Sequence, residues 1–242
     1  MKVSVITVAF NAAATLEKTV CSVLGQTGVD FEYVIVDGAS TDHTLEMLRC
    51  YRERLAVLLS EPDSGIYDAM NKGIRLASGD CLLFMNAGDS FADDRSLCRL
   101  VAAMDSNGAR EQVVWGGWLV QPAQGAAVPK TPDLPRGLFN HQATLYRRSI
   151  HSWHGEYACV PGLTAADFLF FRTLQASKRV DFRTITHPVA VIDPFGTSAG
   201  LQTYLQRVLV DTLCGYEGRY RGAAKMVFHP AYNRLKKMLT RR

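Results

Sequence analysis

Residues 2–104 alternate short apolar, β-branched runs with amphipathic segments of helical spacing, and few folds accept that rhythm. Residues 2–9 form a mostly apolar, β-branched run of the kind that becomes a strand buried on both faces. Residues 15–27 place Leu16, Val20, Val23 and Leu24 on one helical face. A second strand is predicted over 31–36, and Ser40, Thr41 and Asp42 offer N-caps for a helix running through Arg54. A strand over 56–59 precedes a helix over 64–77, which carries Ile66, Met70, Ile74 and Ala77 on one side and stops at Ser78-Gly79. A fourth strand over 81–85 and a helix over 95–104 complete the series. Strands that alternate with helices pair in parallel, because each crossover helix must pack back onto the sheet. The expected architecture is therefore α/β, with a Rossmann-like, mainly parallel sheet and helices on both faces.

The rhythm changes after Asp105. A strand over 113–120 is expected to be interrupted at Gly116-Gly117, and 121–137, with four prolines, reads as a loop. Residues 140–147 alternate like a strand, 157–163 look irregular, and 164–177 read as a helix with Thr164 as its N-cap. Two short strands are expected over 180–186 and 189–192, then two C-terminal helices within 200–242 that part near 215–218.

Composition narrows the functional classes. A net charge of +4 is too mild to imply nucleic acid. The excess is concentrated at the end, where residues 233–242 carry five basic groups and no acid. With Val227, Leu235, Met238 and Leu239 on one side of a helix, that tail can rest on an anionic membrane or remain a solvated basic tail. The six cysteines form no CxxC or CxxH pair and read as reduced core residues rather than zinc ligands. No run approaches the ~18 apolar residues of a membrane span, and residues 1–5 lead directly into a strand instead of a signal peptide. The expected location is cytoplasmic, including the inner face of the cytoplasmic membrane.

In open parallel sheets, ligands bind beyond the carboxyl ends of the strands. Here those ends carry Phe10-Asn11, Asp37-Gly38 and Asn86-Ala87-Gly88-Asp89, bringing an aromatic ring and two carboxylates to one edge. Taken singly, Asp and Asn after strands are turn formers, and Phe10 can be plain core. Together they suggest a polar site. The sequence holds neither G-x-G-x-x-G after the first strand nor G-x-x-x-x-G-K-[ST], so a bound diphosphate needs another source of positive charge. Lys72 or Arg75 is one candidate, and a divalent cation on Asp89 is the other. Mg²⁺ and Mn²⁺ accept one or two carboxylates plus substrate phosphates.

Five segments then become specific: 3–11 (VSVITVAFN), 36–42 (VDGASTD), 63–73 (DSGIYDAMNKG), 77–80 (ASGD) and 85–89 (MNAGD). In this order and spacing they resemble family 2 glycosyltransferases, and 63–89 most resembles enzymes of bacterial surface-polysaccharide assembly. The resemblance implies the GT-A fold, inversion at the anomeric carbon, dependence on Mg²⁺ or Mn²⁺, a UDP-, GDP- or dTDP-linked sugar donor and a lipid-linked saccharide acceptor. By matching position, Phe10 and Asn11 border the nucleotide base, and Asp37 lines the base and ribose pocket. Asp63, Asp68, Asn71 and Lys72 border the nucleotide and donor sugar, although Asp63, Asp68 and Lys72 can equally be solvated surface groups. Asp89 matches the metal-binding acid and Asp167 the general base, with a capping box at 164–167 as the rival account of Asp167. His141 and Trp115 fall in the acceptor region, unless they only pack.

Three departures stand out. Gly38 replaces a second Asp that helps relatives hold uracil; Asn86 and Gly88 thin the acidic motif; and Ala166 stands where Glu commonly precedes the base. The missing Q-x-x-R-W motif points to one sugar per encounter. The expected organisation is a GT-A domain over 1–199, with a nucleotide-binding half of about 1–105 and an acceptor half of about 106–199, followed by a helical extension over 200–242. The competing functions are a nucleotide-sugar-binding module without catalysis and a nicotinamide dehydrogenase, which the absent glycine fingerprint opposes.

Overall fold

A computed structural model describes residues 1–104, 111–193 and 200–216. Four parallel strands form its first half: β1 (Val3–Ala9), β2 (Phe31–Asp37), β3 (Val57–Ser60) and β4 (Cys81–Phe84), in the order β3-β2-β1-β4. Every residue of β1 is buried, Ser4 and Thr7 included. Alternate side chains feed two cores. Ile6 and Val8 join Val34, Val36, Met70 and Ile74 on one face, while Val3 and Val5 join Val20, Val23 and Ile35 on the other. Helix α3 (Ile66–Leu76) covers the first face and α1 (Leu16–Leu24) the second. Close approach of α3 depends on Gly73, where a Cβ would come within 2.5 Å of Ile6 Cγ2.

The second half widens the sheet by a mixed set of strands. β8 (Thr144–Arg147) runs antiparallel to β4, β6 (Glu111–Val120) antiparallel to β8, and β9 (Val180–Ile192) parallel to β6. The two-residue β5 (Ser90–Phe91) closes the edge beside β9. Helix α4 (Ser96–Ala103) packs with α1, whereas α6 (Ala166–Ser177) packs on the α3 side. Helix α7 (Leu201–Leu213) docks onto α6. Nothing here contradicts the GT-A architecture expected from the sequence.

Several local expectations are corrected. Gly116-Gly117 does not break β6. A Cβ at Gly116 would lie 2.4 Å from Val189 Cγ2, and one at Gly117 2.4 Å from the Thr186 carbonyl, so the pair allows β9 to cross closely at a register shift. For the same reason 180–192 is one strand, with Pro188 at that irregularity. The proline-rich 121–137 segment includes β7 (Val128–Lys130), paired with β6. Residues 141–143 are a 3-10 turn whose start is capped by Asn140, and the strand begins only at Thr144. The helix expected through Arg54 splits into α2 (Thr44–Arg49) and a 3-10 turn. A short α5 (Ile150–His154) went unforeseen. Of the cysteines, Cys81 is buried, but Cys21, Cys50 and Cys159 are exposed, and all are free. Among the described residues no helix is long and apolar enough to cross a membrane. The expected second C-terminal helix and the basic tail lie outside the described residues.

Candidate active site

The carboxyl ends of β1 and β2 are tied together by their own loops. Asn11 adopts a left-handed backbone (φ 48°). Its side-chain oxygen accepts from the Thr41 N–H (2.9 Å), and its own N–H donates to Ser40 Oγ (2.8 Å). Asp37 is fully buried and accepts from the Ser40 N–H (3.0 Å), the Ser60 hydroxyl (2.7 Å) and the Ser40 hydroxyl. Its carboxylate thus braces the turn. Phe10, by contrast, is 64% exposed, which is not the core position weighed for it.

Helix α3 enters this edge through a loop of carboxylates. Asp63 accepts from the Gly65 N–H (2.8 Å) and Asp68 from the Ser64 N–H (3.0 Å). Lys72 is not a free cation. Its ammonium meets Glu61 at 2.8 Å and the Pro62 carbonyl at 2.7 Å, and the Glu61 contact raises its pKa. Arg75 pairs with Glu156 at 2.6 Å. Asn71 is buried and clamps the Tyr157 backbone in both directions (2.9 and 3.0 Å).

A second group gathers where β4, the 3-10 turn at 141–143 and α6 converge. Gly88 takes φ 96° to make the turn after β4, and its N–H donates to Thr19 Oγ1 of α1 (3.0 Å), which in turn donates to the Asp89 carbonyl (2.7 Å). Asp89, 6% exposed, accepts from Gln142 Nε2 (2.5 Å) and the Asp193 N–H (2.9 Å). Burial pushes its carboxyl pKa up, and these two donors offset the rise only in part.

Beside it runs a continuous chain. Asn86 Nδ2 meets His141 Nε2 at 3.0 Å, His141 Nδ1 meets Asp167 Oδ2 at 2.9 Å, and the Tyr67 hydroxyl donates to Asp167 Oδ1 at 2.8 Å. With Asn86 donating to Nε2, the ring proton sits on Nδ1 and is given to Asp167. Burial works to raise the Asp167 carboxyl, but the hydrogen bonds from His141, the Tyr67 hydroxyl and the Phe168 N–H hold it down at about 2. The same burial and the charge of Asp167 push the Tyr67 phenol up, so it remains a donor at neutral pH. Thr164 does not cap α6. Its hydroxyl contacts Thr203 (2.7 Å) and Gln206 (3.2 Å) of α7, and the cap position falls on Ala165 without a side-chain bond. The capping box is therefore not formed. Arg207 of α7 lies over Phe168, 4.3 Å from the ring centroid, and its charge acts on Asp167.

The donor set suits a hard cation held by few protein ligands. Asp89 is a carboxylate whose burial opposes its ionised form, and a divalent ion would supply positive charge to that form. In the same neighbourhood the buried oxygens Asn86 Oδ1 and Gln142 Oε1 have no hydrogen-bond partner. Mg²⁺ and Mn²⁺ accept such oxygens together with one or two carboxylates, water and substrate phosphate.

Trp115 does not face this site. It is fully buried, stacked between Phe139 (4.8 Å) and Phe182 (5.1 Å), so interior packing replaces the acceptor contact expected of it. Gln142, Tyr67 and Arg207 were missed by sequence reasoning. Only the first two carried a signal, through their adjacency to His141 and Asp68. An open groove lined by Lys2, Leu24, Asp30 and Arg54 lies at the opposite ends of the strands and shares no residue with the cluster.

The family model described as glycosyl transferase family 2 matches residues 4–152. A PGL/p-HBAD biosynthesis glycosyltransferase of Mycobacterium bovis is 37% identical over 164 residues, which cover 64% of this chain and 62% of that protein. TuaG of Bacillus subtilis, named for teichuronic acid biosynthesis, is 33% identical over 139 residues, covering 56% of this chain and 54% of its own. The chain thus matches less than two thirds of the length of either relative. Among solved structures, S. aureus TarS 1-349 in complex with UDP-GlcNAc has a TM-score of 0.69 at 19% identity, over 88% of this chain and 65% of that one. The mannosyltransferase PcManGT of Pyrobaculum calidifontis, in complex with GDP-Man and Mn²⁺, has a TM-score of 0.65 at 20% identity, over 94% of this chain and 69% of that one. Both share the fold.

Proposed function

The chain belongs to glycosyl transferase family 2, and on that premise we propose that it transfers one sugar from a nucleotide-sugar donor to an acceptor hydroxyl, with inversion, in bacterial surface-polysaccharide assembly. The observation that carries this reading is the Asn86–His141–Asp167–Tyr67 chain standing beside buried Asp89. It sets an oriented, ionised carboxylate near a second one whose burial calls for a cation.

In the proposed reaction Asp167 accepts the proton of the acceptor hydroxyl while that oxygen bonds to the anomeric carbon. The bond from that carbon to the diphosphate oxygen breaks on the opposite face, and its electron pair leaves with the diphosphate. Attack opposite the leaving group inverts the centre. His141 and Tyr67 hold the carboxylate in place, and substrates that cover it exclude water and raise its proton affinity. Mg²⁺ or Mn²⁺ held at Asp89 would supply positive charge to the departing diphosphate. Phe10, Asn11 and Asp37 border the base and ribose, and the loop and helix carrying Asp63, Asp68, Asn71 and Lys72 border the nucleotide and the donor sugar. In this reading 1–105 is the nucleotide half, 106–199 the acceptor half and 200–242 an appended helical segment, with a lipid-linked saccharide as acceptor.

The ligands of the TarS and PcManGT complexes support a nucleotide-sugar donor. The test is calorimetric titration with UDP, GDP and dTDP, with and without Mn²⁺, alongside turnover. Binding is expected to require the cation, and Asp89→Ala is expected to abolish both that requirement and activity. Undiminished turnover in excess EDTA would remove the cation from the scheme. Donor binding without turnover on any acceptor would leave a nucleotide-sugar-binding module.

A further inference from the structure

Phe10 holds a large ring in solvent at the end of β1, 64% exposed, and the residue beside it is a glycine. A Cβ built on Gly38 would lie 3.3 Å from Phe10 Cδ2 and 2.5 Å from Asp63 Oδ2. Asp63 comes from the loop before α3, so a carboxylate from another element occupies the space that a side chain at 38 would use. Its two oxygens differ. Oδ1 accepts from the Gly65 N–H at 2.8 Å, which fixes the carboxylate, whereas Oδ2 accepts no hydrogen bond from a described side chain or backbone group and points at the gap beside the ring. Lys72 contributes its charge nearby but is bonded to Glu61 and the Pro62 carbonyl.

We propose that Asp63 Oδ2 reads the edge of a pyrimidine base stacked on Phe10 and selects a ring N–H, so that the donor nucleotide is uracil- or thymine-based. This rests on the nucleotide-sugar reading above. An exposed aromatic face accepts any base, since every base has a π-face. Discrimination must therefore come from the edge. An ionised carboxylate is acceptor-only. The N3–H of uracil or thymine satisfies it, whereas cytosine N3 and adenine N1 present lone pairs to it and leave the carboxylate desolvated and unpaired. Guanine presents two adjacent N–H donors and is best met by two free oxygens, but here Oδ1 is already taken by Gly65.

The test is calorimetry on the whole chain with UDP, CDP, GDP and ADP in the presence of Mn²⁺, with thermal melting as the folding control. The wild type is expected to bind UDP at least about tenfold more tightly than CDP, the scale of one hydrogen bond to a charged group. Asp63→Asn keeps an oxygen for the Gly65 N–H but turns an amide N–H₂ toward the base, so the UDP preference is expected to vanish or invert at an unchanged melting temperature. Asp63→Gly is expected to lose the preference too, and Gly38→Asp combined with Asp63→Gly to regain it, by returning a carboxylate to the same space. A wild type that binds CDP or GDP as tightly as UDP overturns the inference, as does an unchanged ratio in Asp63→Asn. A wild type that binds no nucleoside diphosphate overturns the nucleotide-sugar reading itself.

Discussion

Asp167 shows how far a single residue can be read. The family motif locates it, but the rival account, a helix cap with Thr164, was equally consistent with the local sequence. Thr164 turns to α7 instead, and both oxygens of Asp167 meet side chains from other elements, Tyr67 and His141. Asp167→Asn is expected to remain folded and to bind nucleotide with metal, while turnover falls by about 10²–10⁴, the usual contribution of a general base. Turnover near that of the wild type would assign the carboxylate to structure. Asp37 shows the reverse: it is legible as a strand-end acid, yet its oxygens are held by Ser40 and Ser60. Ser60 belongs to β3, and only strand pairing brings it there.

At the scale of elements, the joint between α6 and α7 rests on Arg172, which is 1% exposed. Its guanidinium donates to Asp211 of α7 (2.5 Å), to the Leu134 carbonyl (2.9 Å) and to Gln175 (2.8 Å), and it stacks 3.6 Å from the Tyr216 ring centroid. Removing one partner of a buried ion pair leaves the other uncompensated, at a cost of about 3–5 kcal/mol. Arg172→Met is expected to lower unfolding free energy by that amount in urea titration, and Arg172→Lys to recover little, since a point charge cannot replace the planar fork. A loss below about 1 kcal/mol would contradict this account. Elements with strong periodicity, such as β1, α1 and α3, were legible to within a few residues. β9 was not, because Pro188 is a local break signal that pairing with β6 overrides, and β5 is too short to carry any pattern.

For the molecule as a whole, acid sensitivity follows from three carboxylates. Burial works to raise Glu32, but Lys2, Ser4 and Ser78 hold it at about 2; burial likewise opposes Asp93, which Arg99 and the Arg95 N–H hold at about 2; Asp167 is also at about 2. Each lies below its unfolded value of about 4, so on acidification the unfolded chain takes up protons first. The stability these groups confer is complete above about pH 5 and is lost as pH falls through about 4 toward about 2. Asp89 has the opposite sign, because burial raises its pKa and its ionisation opposes folding at neutral pH. Urea titrations between pH 3 and 7 are expected to show unfolding free energy falling steeply below about pH 5, with a shallower slope in Glu32→Gln. A flat profile, or a rise on acidification, would refute the assignment.

The alternation of apolar runs and helical faces determined by itself the parallel half of the sheet and the edge on which Phe10, Asp37 and Asp89 stand. These are local matters, since a strand buried on both faces and an amphipathic helix are written in neighbouring residues. What only the tertiary structure decided is which polar groups are occupied and which are available. Lys72 is bound to Glu61 and Asn71 to Tyr157, Trp115 is sealed in the core, and Asp63 is brought over Gly38. A hydrogen bond between Tyr67 and Asp167 joins residues separated by 100 positions, and no window of sequence contains both partners.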